Sequence, residues 1–444
     1  MKKSNLTEGK ILSALISFAV PIFLATLLQF LYGMVDMLIV SRFASTAEAS
    51  GVTTGTAVMN MVISVVSGLT TGVCVVIARR VGERNEKEIG KAICGSVVLF
   101  SAIAVVFSGL LPVCAGFLAR LMEAPADAYE ATVMYIKITG VGIIFLVAYN
   151  VLGGIFRGMG DGRTPLIAVI IATVFNLILD VIAVRFLGMG AAGAAFATVA
   201  AQGISVLVSV VIVIKRRALF SLSWKMFAEC IPIIKSILRL GIPIAAENLL
   251  ATFSFVAIQA MINGLGLAES VGAGIGDKIG GILLLLPISY LQAMSAFVSQ
   301  NIGAGKPERA RRGLGWGILT ALGFGAITSY ISIFHGDILA SLFTSEADVI
   351  EKAHMYIASA YGADCIFTSI LFCMMGYFNG KGKTTVSLVQ GMIGAFAIRL
   401  PYALIANSMP GTNIFYIGLA APVSSFFQII ICAVAFWYIE KKES

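Results

Sequence analysis

The stretch Leu118-Ala119-Arg120-Leu121 … Ala126-Asp127 … Met134-Tyr135-Ile136 occurs twice in this chain. It returns 221 residues later as Leu339-Ala340-Ser341-Leu342 … Ala347-Asp348 … Met355-Tyr356-Ile357. After one inserted residue, seven residues from Gly140 to Gly160 find identical partners 222 positions later, and Pro21 and Pro243 obey the same spacing. A duplication of half of a very apolar chain is typical of membrane transporters built from paired repeats.

The composition places the protein in a lipid bilayer. The 444 residues are 59% hydrophobic and 12% charged, with a mean hydropathy of +0.96, whereas a soluble domain has about a quarter of charged residues. A helix needs about 20 apolar residues to cross the hydrocarbon core. We predict about twelve such spans, at residues 14–40, 50–78, 92–118, 130–156, 164–186, 190–214, 240–265, 273–300, 314–342, 353–378, 384–407 and 414–439.

The placement of positive charge explains the formal net charge of +8. When the segments between spans are assigned to alternating sides with the N-terminus inside, 24 of the 31 Lys and Arg residues lie on the inner side. This positive-inside pattern predicts that both termini are cytoplasmic, in the cytoplasmic membrane of a prokaryote. The basic surface is therefore a topology signal, and we expect the lipid bilayer but no nucleic acid as a partner.

Metal, disulfide and enzyme signatures are missing from the sequence. The seven cysteines are scattered, mostly within spans, and neither a CxxC nor a His-rich pairing accompanies them,. An H-E-x-x-H motif, an intramembrane His cluster and a Ser/Lys dyad are also absent,. We therefore predict no enzyme activity, no organic cofactor and no structural metal.

The predicted fold is an all-α polytopic membrane protein with two six-helix lobes. Six spans in each half give both halves the same orientation, which predicts a parallel pseudo-two-fold repeat. We place the amino-terminal lobe at residues 1–214, a cytoplasmic linker at 215–238 and the carboxy-terminal lobe at 239–444. The basic linker either lies on the inner membrane surface as a short amphipathic helix or forms a solvated loop.

Three motifs resemble one family of secondary transporters. The first span ends in Gln29-Phe30-Leu31-Tyr32-Gly33-Met34-Val35-Asp36, and the loop after the eighth reads Gln300-Asn301-Ile302-Gly303-Ala304-Gly305-Lys306. The fourth span is followed by Phe156-Arg157-Gly158-Met159-Gly160-Asp161-Gly162-Arg163-Thr164-Pro165. Together they resemble the multidrug and toxic compound extrusion (MATE) family. The resemblance implies two lobes around a V-shaped cleft, a monomer, and ion-coupled export of amphipathic, often cationic, organic compounds.

The resemblance also implies where the coupling ion binds. One prokaryotic branch of the family has a carboxylate in the first helix and an Asn-x-x-x-Asp pair in the fifth, which Asp36 and Asn176-Leu177-Ile178-Leu179-Asp180 match. Tyr32, Tyr135, Asn150 and Thr198 fall where that branch has polar partners. Other branches have an essential Glu eight residues after the proline of the seventh helix. Here Glu247 comes four residues after Pro243 and position 251 is Ala, so the amino-terminal lobe is expected to hold the coupling site.

The same residues form a plausible ion site on chemical grounds. An ionised Asp deep in the membrane costs roughly 2.5–3.5 kcal/mol, so it faces protein or water and commonly marks an ion path. Asn176 and Asp180, like Tyr32 and Asp36, are four residues apart and share a helix face. The oxygens of Asp36, Asp180, Asn176 and Thr198 suit Na⁺ as a metal ligand set. Two neighbouring carboxylates can equally share a proton, so H⁺ and Na⁺ both remain candidates.

Several polar residues have alternative interpretations. Lys137 could neutralise Asp36 and Asp180 as a counter-ion, or repel a cation from the unloaded site. Glu247 and Gln29, with Tyr32, Tyr135 and Asn150, are candidate cavity residues. We expect Asp364 and Arg399 to form a structural salt bridge in the carboxy-terminal lobe. We expect the pair Asp277-Lys278 to lie at a solvated helix end. A flippase for lipid-linked sugars is the alternative function, but its cavity needs several cationic side chains at membrane depth.

Overall fold

The structure is a computed structural model that describes residues 6–215 and 229–443. These residues form helices joined by short turns, and no strand occurs among them. Residues 216–228, which make up most of the predicted linker, lie outside the described part of the chain. Residues 231–238 of that linker form the first turns of a long helix instead of a separate segment.

The described helices are numbered here in chain order. In the first half they are α1 Ile11–Phe43, α2 Thr46–Gly82, α3 Glu86–Leu121, α4 Tyr129–Val141, α5 Ile143–Gly158, α6 Arg163–Asp180 and α7 Gly190–Lys215. In the second half they are α8 Ile231–Asn263, α9 Leu267–Leu283, α10 Leu285–Gly303, α11 Pro307–Phe334, α12 Gly336–Ser341, α13 Ala347–Ala360, α14 Asp364–Lys381, α15 Thr384–Met392, α16 Leu400–Ser408, α17 Ile414–Gly418 and α18 Ala420–Glu443. Two π-helical segments, Val181–Phe186 and Ile393–Arg399, interrupt the series.

Length and composition confirm an all-helical membrane protein with up to twelve spans. Ten segments of the described chain are long and apolar enough to cross a bilayer. Two further spans are bent pairs, Ala126–Val141 with Ile143–Gly158 at 53° and Ala347–Ala360 with Asp364–Lys381 at 42°. The bends lie at equivalent places in the two repeats. The predicted ninth span, 314–342, extends too far, because α11 ends at Phe334 and 336–341 form the separate short α12.

The described chain divides into two compact units. The first contains residues 20–215, 229–242 and 303–305, and the second contains 6–19, 243–302 and 306–443. The long helices α1 and α8 therefore each begin in one unit and continue in the other. The change falls beside Pro21 in α1 and at Pro243 in α8, where a proline removes a backbone hydrogen bond from the helix.

Two of the sequence motifs have clear structural roles. Asp161 lies two residues before α6 and binds its first turn: its Oδ1 accepts backbone N–H groups of Arg163 and Thr164, each at 3.0 Å, and its Oδ2 accepts the Thr164 hydroxyl at 2.6 Å. These bonds satisfy donors that a helix N-terminus leaves free. In the second unit, Asn301 Nδ2 donates to Leu6 O at 3.2 Å and Lys306 Nζ donates to Thr7 O at 2.9 Å. This motif thus anchors the segment that leads into α1.

The same small-residue packing recurs in both units and places a tyrosine in each. A side-chain carbon added at Gly55 would overlap the Tyr135 ring, and one added at Gly276 would overlap the ring of Tyr356. Both glycines let a neighbouring helix approach closely, as small residues do in membrane helix packing. The residue after each glycine contacts the tyrosine hydroxyl: Thr56 Oγ1 donates to Tyr135 at 3.2 Å, and Asp277 Oδ1 accepts from Tyr356 at 3.0 Å.

Candidate functional site

The first unit brings Asp36 of α1 and Asp180 of α6 side by side. Asp36 is 8% exposed and Asp180 is fully buried. Asp36 Oδ1 and both carboxyl oxygens of Asp180 have no hydrogen-bond donor among the described residues. Two ionised carboxylates at this range repel each other. A proton shared between them, or a cation bound to both, would remove that repulsion and satisfy the free oxygens.

Asn176 and Tyr32 flank the carboxyl pair from the two helices that carry it. Asn176 is 2% exposed, lies one turn before Asp180, and has its amide group beside the Asp180 carboxyl. Its Nδ2 forms no hydrogen bond with a described residue. Tyr32 lies one turn before Asp36 and is close to both aspartates. The i, i+4 spacing noted in the sequence therefore does place these side chains together.

Tyr135 also lies beside the pair. It is buried, and it lies close to Asp36, Asp180 and Tyr32. The hydrogen bond from Thr56 Oγ1 fixes the position of its hydroxyl oxygen. Because that oxygen accepts from Thr56, its own proton remains available for donation toward a carboxylate.

The backbone changes from α-helix to π-helix directly after Asp180. The π-segment Val181–Phe186 continues α6 to the end of the fifth span. A π-helical turn inserts an extra residue and shifts the direction of the side chains, and such turns are frequent at functional sites. The sequence alone gave no indication of this change.

A small cavity lies beside the carboxyl pair, within the first unit. Its lining residues are Gln29, Tyr32, Tyr149, Val169, Ala172, Thr173, Asn176, Ala201, Gln202 and Ser205. Tyr32 and Asn176 belong both to this lining and to the surroundings of the aspartates. Its lining is both apolar and polar, which is the character of a site for a small amphipathic molecule,. Tyr32 and Asn176 are therefore the residues through which cavity and carboxyl pair would influence each other.

Four polar lining residues were not predicted. The Tyr32 hydroxyl is within hydrogen-bonding range of Gln202 and close to Tyr149, and Thr173 and Ser205 complete the set. Helical spacing offered a signal for two of them. Thr173 lies three residues before Asn176, and Gln202 lies four residues after Thr198, so each shares a face with a predicted residue.

Three other predicted residues differ in their surroundings. Asn150 Nδ2 donates to Leu146 O in its own helix at 2.9 Å. Lys137 has an exposed side chain, although it lies only two residues from the buried Tyr135. The Thr198 hydroxyl is buried without a hydrogen-bond partner among the described residues, one turn before Gln202 on α7. The structure therefore does not join Lys137 to either aspartate.

The remaining predicted site residue, Glu247, belongs to the second unit. It is half-buried, packs against Gly391 and lies near Arg399 and Cys432. No described group of three or more His, Cys, Asp or Glu residues could hold a metal ion. A transition-metal centre is thus not indicated in the described chain. The free oxygens of Asp36 and Asp180 fit a hard monovalent cation or a proton instead.

The second unit has polar groups of its own, and two expectations about them were wrong. Asp277 is not a solvated helix end, because its Oδ1 accepts the Tyr356 and Tyr361 hydroxyls at 3.0 and 2.9 Å. Arg399 is near Asp364, but instead of forming a close salt bridge it stands over the Phe255 ring, with Cζ 4.5 Å from the ring centre. Aromatic stacking satisfies a guanidinium in a way that sequence spacing does not reveal.

Fold and site together define a class: a duplicated, multi-span membrane transporter with a buried carboxyl pair in its first unit. The MatE family model matches residues 21–182 and 243–405, one match in each repeat. The matched residues make up more than half of the chain, so the protein belongs to the MATE family.

Known relatives span nearly the whole chain. A probable multidrug resistance protein, YpnP of Bacillus subtilis, is 26% identical over 99% of this chain and 97% of its own length. Another, NorM of Bacillus anthracis, is 25% identical over 91% of this chain and 90% of its own. Among solved structures, a MATE protein in complex with MaL6 superposes with a TM-score of 0.92 at 20% identity, covering 99% of this chain and 100% of that one. This similarity confirms the two-lobe fold.

Proposed function

We propose that the protein is a cation-coupled antiporter that exports small amphipathic, predominantly cationic organic compounds. The observation that carries this proposal is the buried pair Asp36 and Asp180, whose oxygens are free and whose neighbours Tyr32 and Asn176 also line a cavity. Relatives named as probable multidrug resistance proteins support the same class of substrate. The proposed orientation places both termini in the cytoplasm, as the positive-inside pattern predicts.

The exchange follows from the two roles of Tyr32 and Asn176. An ion from outside binds between Asp36 and Asp180 and draws the Asn176 amide and the Tyr32 hydroxyl toward the pair. Both side chains line the cavity, so this movement changes the cavity that holds the organic compound. Coupling requires that the ion and the compound bind the two states of the transporter with different affinities. A coupling free energy of about 1–3 kcal/mol corresponds to a 5- to 150-fold change in affinity.

The two candidate ions make different demands on the site. A proton needs only two adjacent carboxyl groups. Na⁺ needs several oxygen ligands, which Asp36, Asp180 and the Asn176 carbonyl would provide. Separate H⁺ and Na⁺ gradients, imposed on inverted membrane vesicles that contain the protein, distinguish the two by which gradient drives accumulation of a fluorescent organic cation.

Substitution of either aspartate tests the coupling site. Asp36→Asn and Asp180→Asn keep the size of the side chain and remove its charge, so each is expected to abolish gradient-driven transport and drug resistance while membrane insertion continues. Asp127→Asn is the matched control, because Asp127 is exposed in the same unit. Wild-type transport in either site variant would remove the coupling role from the pair.

The flippase alternative receives less support from the buried cations. Among the described residues, Lys381 and Arg399 are the buried basic side chains. Lys381 is paired with Glu440 and Glu443, and Arg399 is a single guanidinium close to two carboxyl groups, Asp364 and Glu247. A negatively charged lipid head group would need several cations to replace its hydration. The buried carboxyl pair of the first unit favours the exporter instead.

A further inference from the structure

The second unit contains a small cavity of its own. Phe255, Tyr356, Tyr361 and Asp364 are its aromatic and polar lining residues, and the remainder of its wall is apolar. The Tyr356 and Tyr361 rings meet edge to face, with centres 6.2 Å apart. A cavity with aromatic walls and one charged group has the character of a ligand pocket.

Two opposite charges lie close to each other here: Asp364 lines the cavity, and Arg399 lies behind its lining residues. Asp364 is 4% exposed and Arg399 is 8% exposed. Asp364 Oδ1 and Arg399 Nε have no hydrogen-bond partner among the described residues. Arg399 interacts with the lining residues Asp364, Tyr356 and Tyr361, and its guanidinium stands over Phe255. Burial of a charged group without a hydrogen bond has a high free-energy cost. A ligand that forms hydrogen bonds with both atoms would remove this cost.

Two other acidic residues of the second unit, Asp277 and Glu247, do not line the cavity. Asp277 Oδ1 accepts two tyrosine hydroxyls. Glu247 approaches Arg399 from α8 and packs against Gly391. Asp364 is thus the acidic residue that both lines the cavity and keeps a free oxygen.

The repeat shows that this site is not a copy of the carboxyl pair in the first unit. The residue 222 positions after Asp36 is Ile258, which also lines the second cavity. The tyrosine equivalent to Tyr135 is retained as Tyr356, whereas the charges here come from Asp364 and Arg399. Arg399 is the last residue of the π-segment Ile393–Arg399. Both polar sites therefore adjoin a π-helical turn, although their charges differ.

We propose that this cavity is a binding subsite for a zwitterionic aromatic compound, whose basic nitrogen bonds to Asp364 and whose acidic oxygen bonds to Arg399. A plain cation would be repelled by Arg399 and a plain anion by Asp364, while a molecule carrying both charges satisfies both free groups. The aromatic part would lie against Phe255 and Tyr356. The proposal rests on the proposed export function, because it adds zwitterions to the compounds that the transporter accepts.

Three indole compounds that carry different charged groups test the subsite. Tryptophan is a zwitterion at neutral pH, tryptamine a cation and indole-3-propionate an anion. Binding of each, in radiolabelled form, is measured to the full-length protein in lipid nanodiscs without any ion gradient. Tryptophan is expected to bind about 10-fold more tightly than either singly charged compound, the gain typical of one additional charged hydrogen bond. Equal affinity for all three would overturn the proposal.

Two variants test whether Arg399 and Asp364 cause the preference for tryptophan. Arg399→Met is expected to remove the preference for tryptophan over tryptamine, and Asp364→Asn the preference over indole-3-propionate. Arg185→Met is the matched control. Arg185 also lies in a π-segment, and its Cζ is 4.9 Å from the centre of the Phe43 ring, but its side chain is exposed. Unchanged preferences in both site variants would contradict the proposal. If one variant does not fold, the other variant and the binding of the three compounds to the wild-type protein still test the proposal.

The same measurement in Asp36→Asn separates this inference from the proposed function. The preference for tryptophan should persist in that variant, because Asp36 belongs to the first unit. Loss of the preference in Asp36→Asn would place the zwitterion in the first unit and overturn the subsite. Failure of ion-coupled transport, in contrast, would leave the binding preference unchanged.

Discussion

At the scale of single residues, the site depends on a few polar atoms that the protein does not satisfy by itself. Asp180 is buried, and both of its carboxyl oxygens lack a hydrogen-bond partner among the described residues. Asp36 is also buried, and its Oδ1 lacks such a partner. Soluble proteins rarely retain such groups unless they have a functional role. In a membrane the cost of an unpaired charge makes a functional explanation stronger still.

Tyr32 offers a test of this local arrangement. Tyr32→Phe removes the hydroxyl that lies near Asp36 and Gln202 and keeps the ring in place. One lost hydrogen bond of about 0.5–1.5 kcal/mol corresponds to a roughly 2- to 12-fold change, so the ion concentration for half-maximal transport should rise by that factor. The measurement is transport as a function of ion concentration. Tyr438→Phe, at an exposed tyrosine, is the control, and an unchanged ion dependence in Tyr32→Phe would exclude the hydroxyl from the site.

At the scale of elements, close helix packing positions the site. Gly55 of α2 lets the Tyr135 ring lie against the helix backbone, and the adjacent Thr56 holds the tyrosine hydroxyl. The equivalent Gly276 does the same for Tyr356 in the second unit. The recurrence indicates that the duplicated sequence preserves a packing geometry while the polar groups around it have diverged.

Gly55→Ala tests the importance of this packing. The added methyl group would overlap the Tyr135 ring, and overpacking of this kind costs about 1–3 kcal/mol. We expect a lower thermal unfolding temperature for the purified protein and weaker ion coupling. Gly33→Ala in α1 is the matched control, because a carbon added there meets nothing within 4 Å. Equal thermal stability of the two variants would show that the tyrosine packing is not under steric constraint.

At the scale of the whole molecule, the repeat and the apolar pattern were sufficient to predict two six-helix lobes. Span positions could be predicted because about 20 apolar residues are needed to cross a bilayer. The joint position of Asp36, Asn176 and Asp180 followed from helical spacing and the family resemblance. The π-segments could not be predicted, since apolar periodicity does not distinguish an α- from a π-turn. The stacking of Arg399 on Phe255 depends on contacts between α8 and the eleventh span, which no local pattern encodes.

The most direct test of the central claim is ion release from the purified protein when an organic cation binds. In weakly buffered detergent solution, addition of a saturating fluorescent organic cation should release H⁺ to a pH-sensitive dye, or bound ²²Na⁺ if the protein is loaded with that ion. The account predicts release by the wild-type protein and by Asp127→Asn, and none by Asp36→Asn or Asp180→Asn. Release of the same amount by either site variant would contradict exchange at this carboxyl pair.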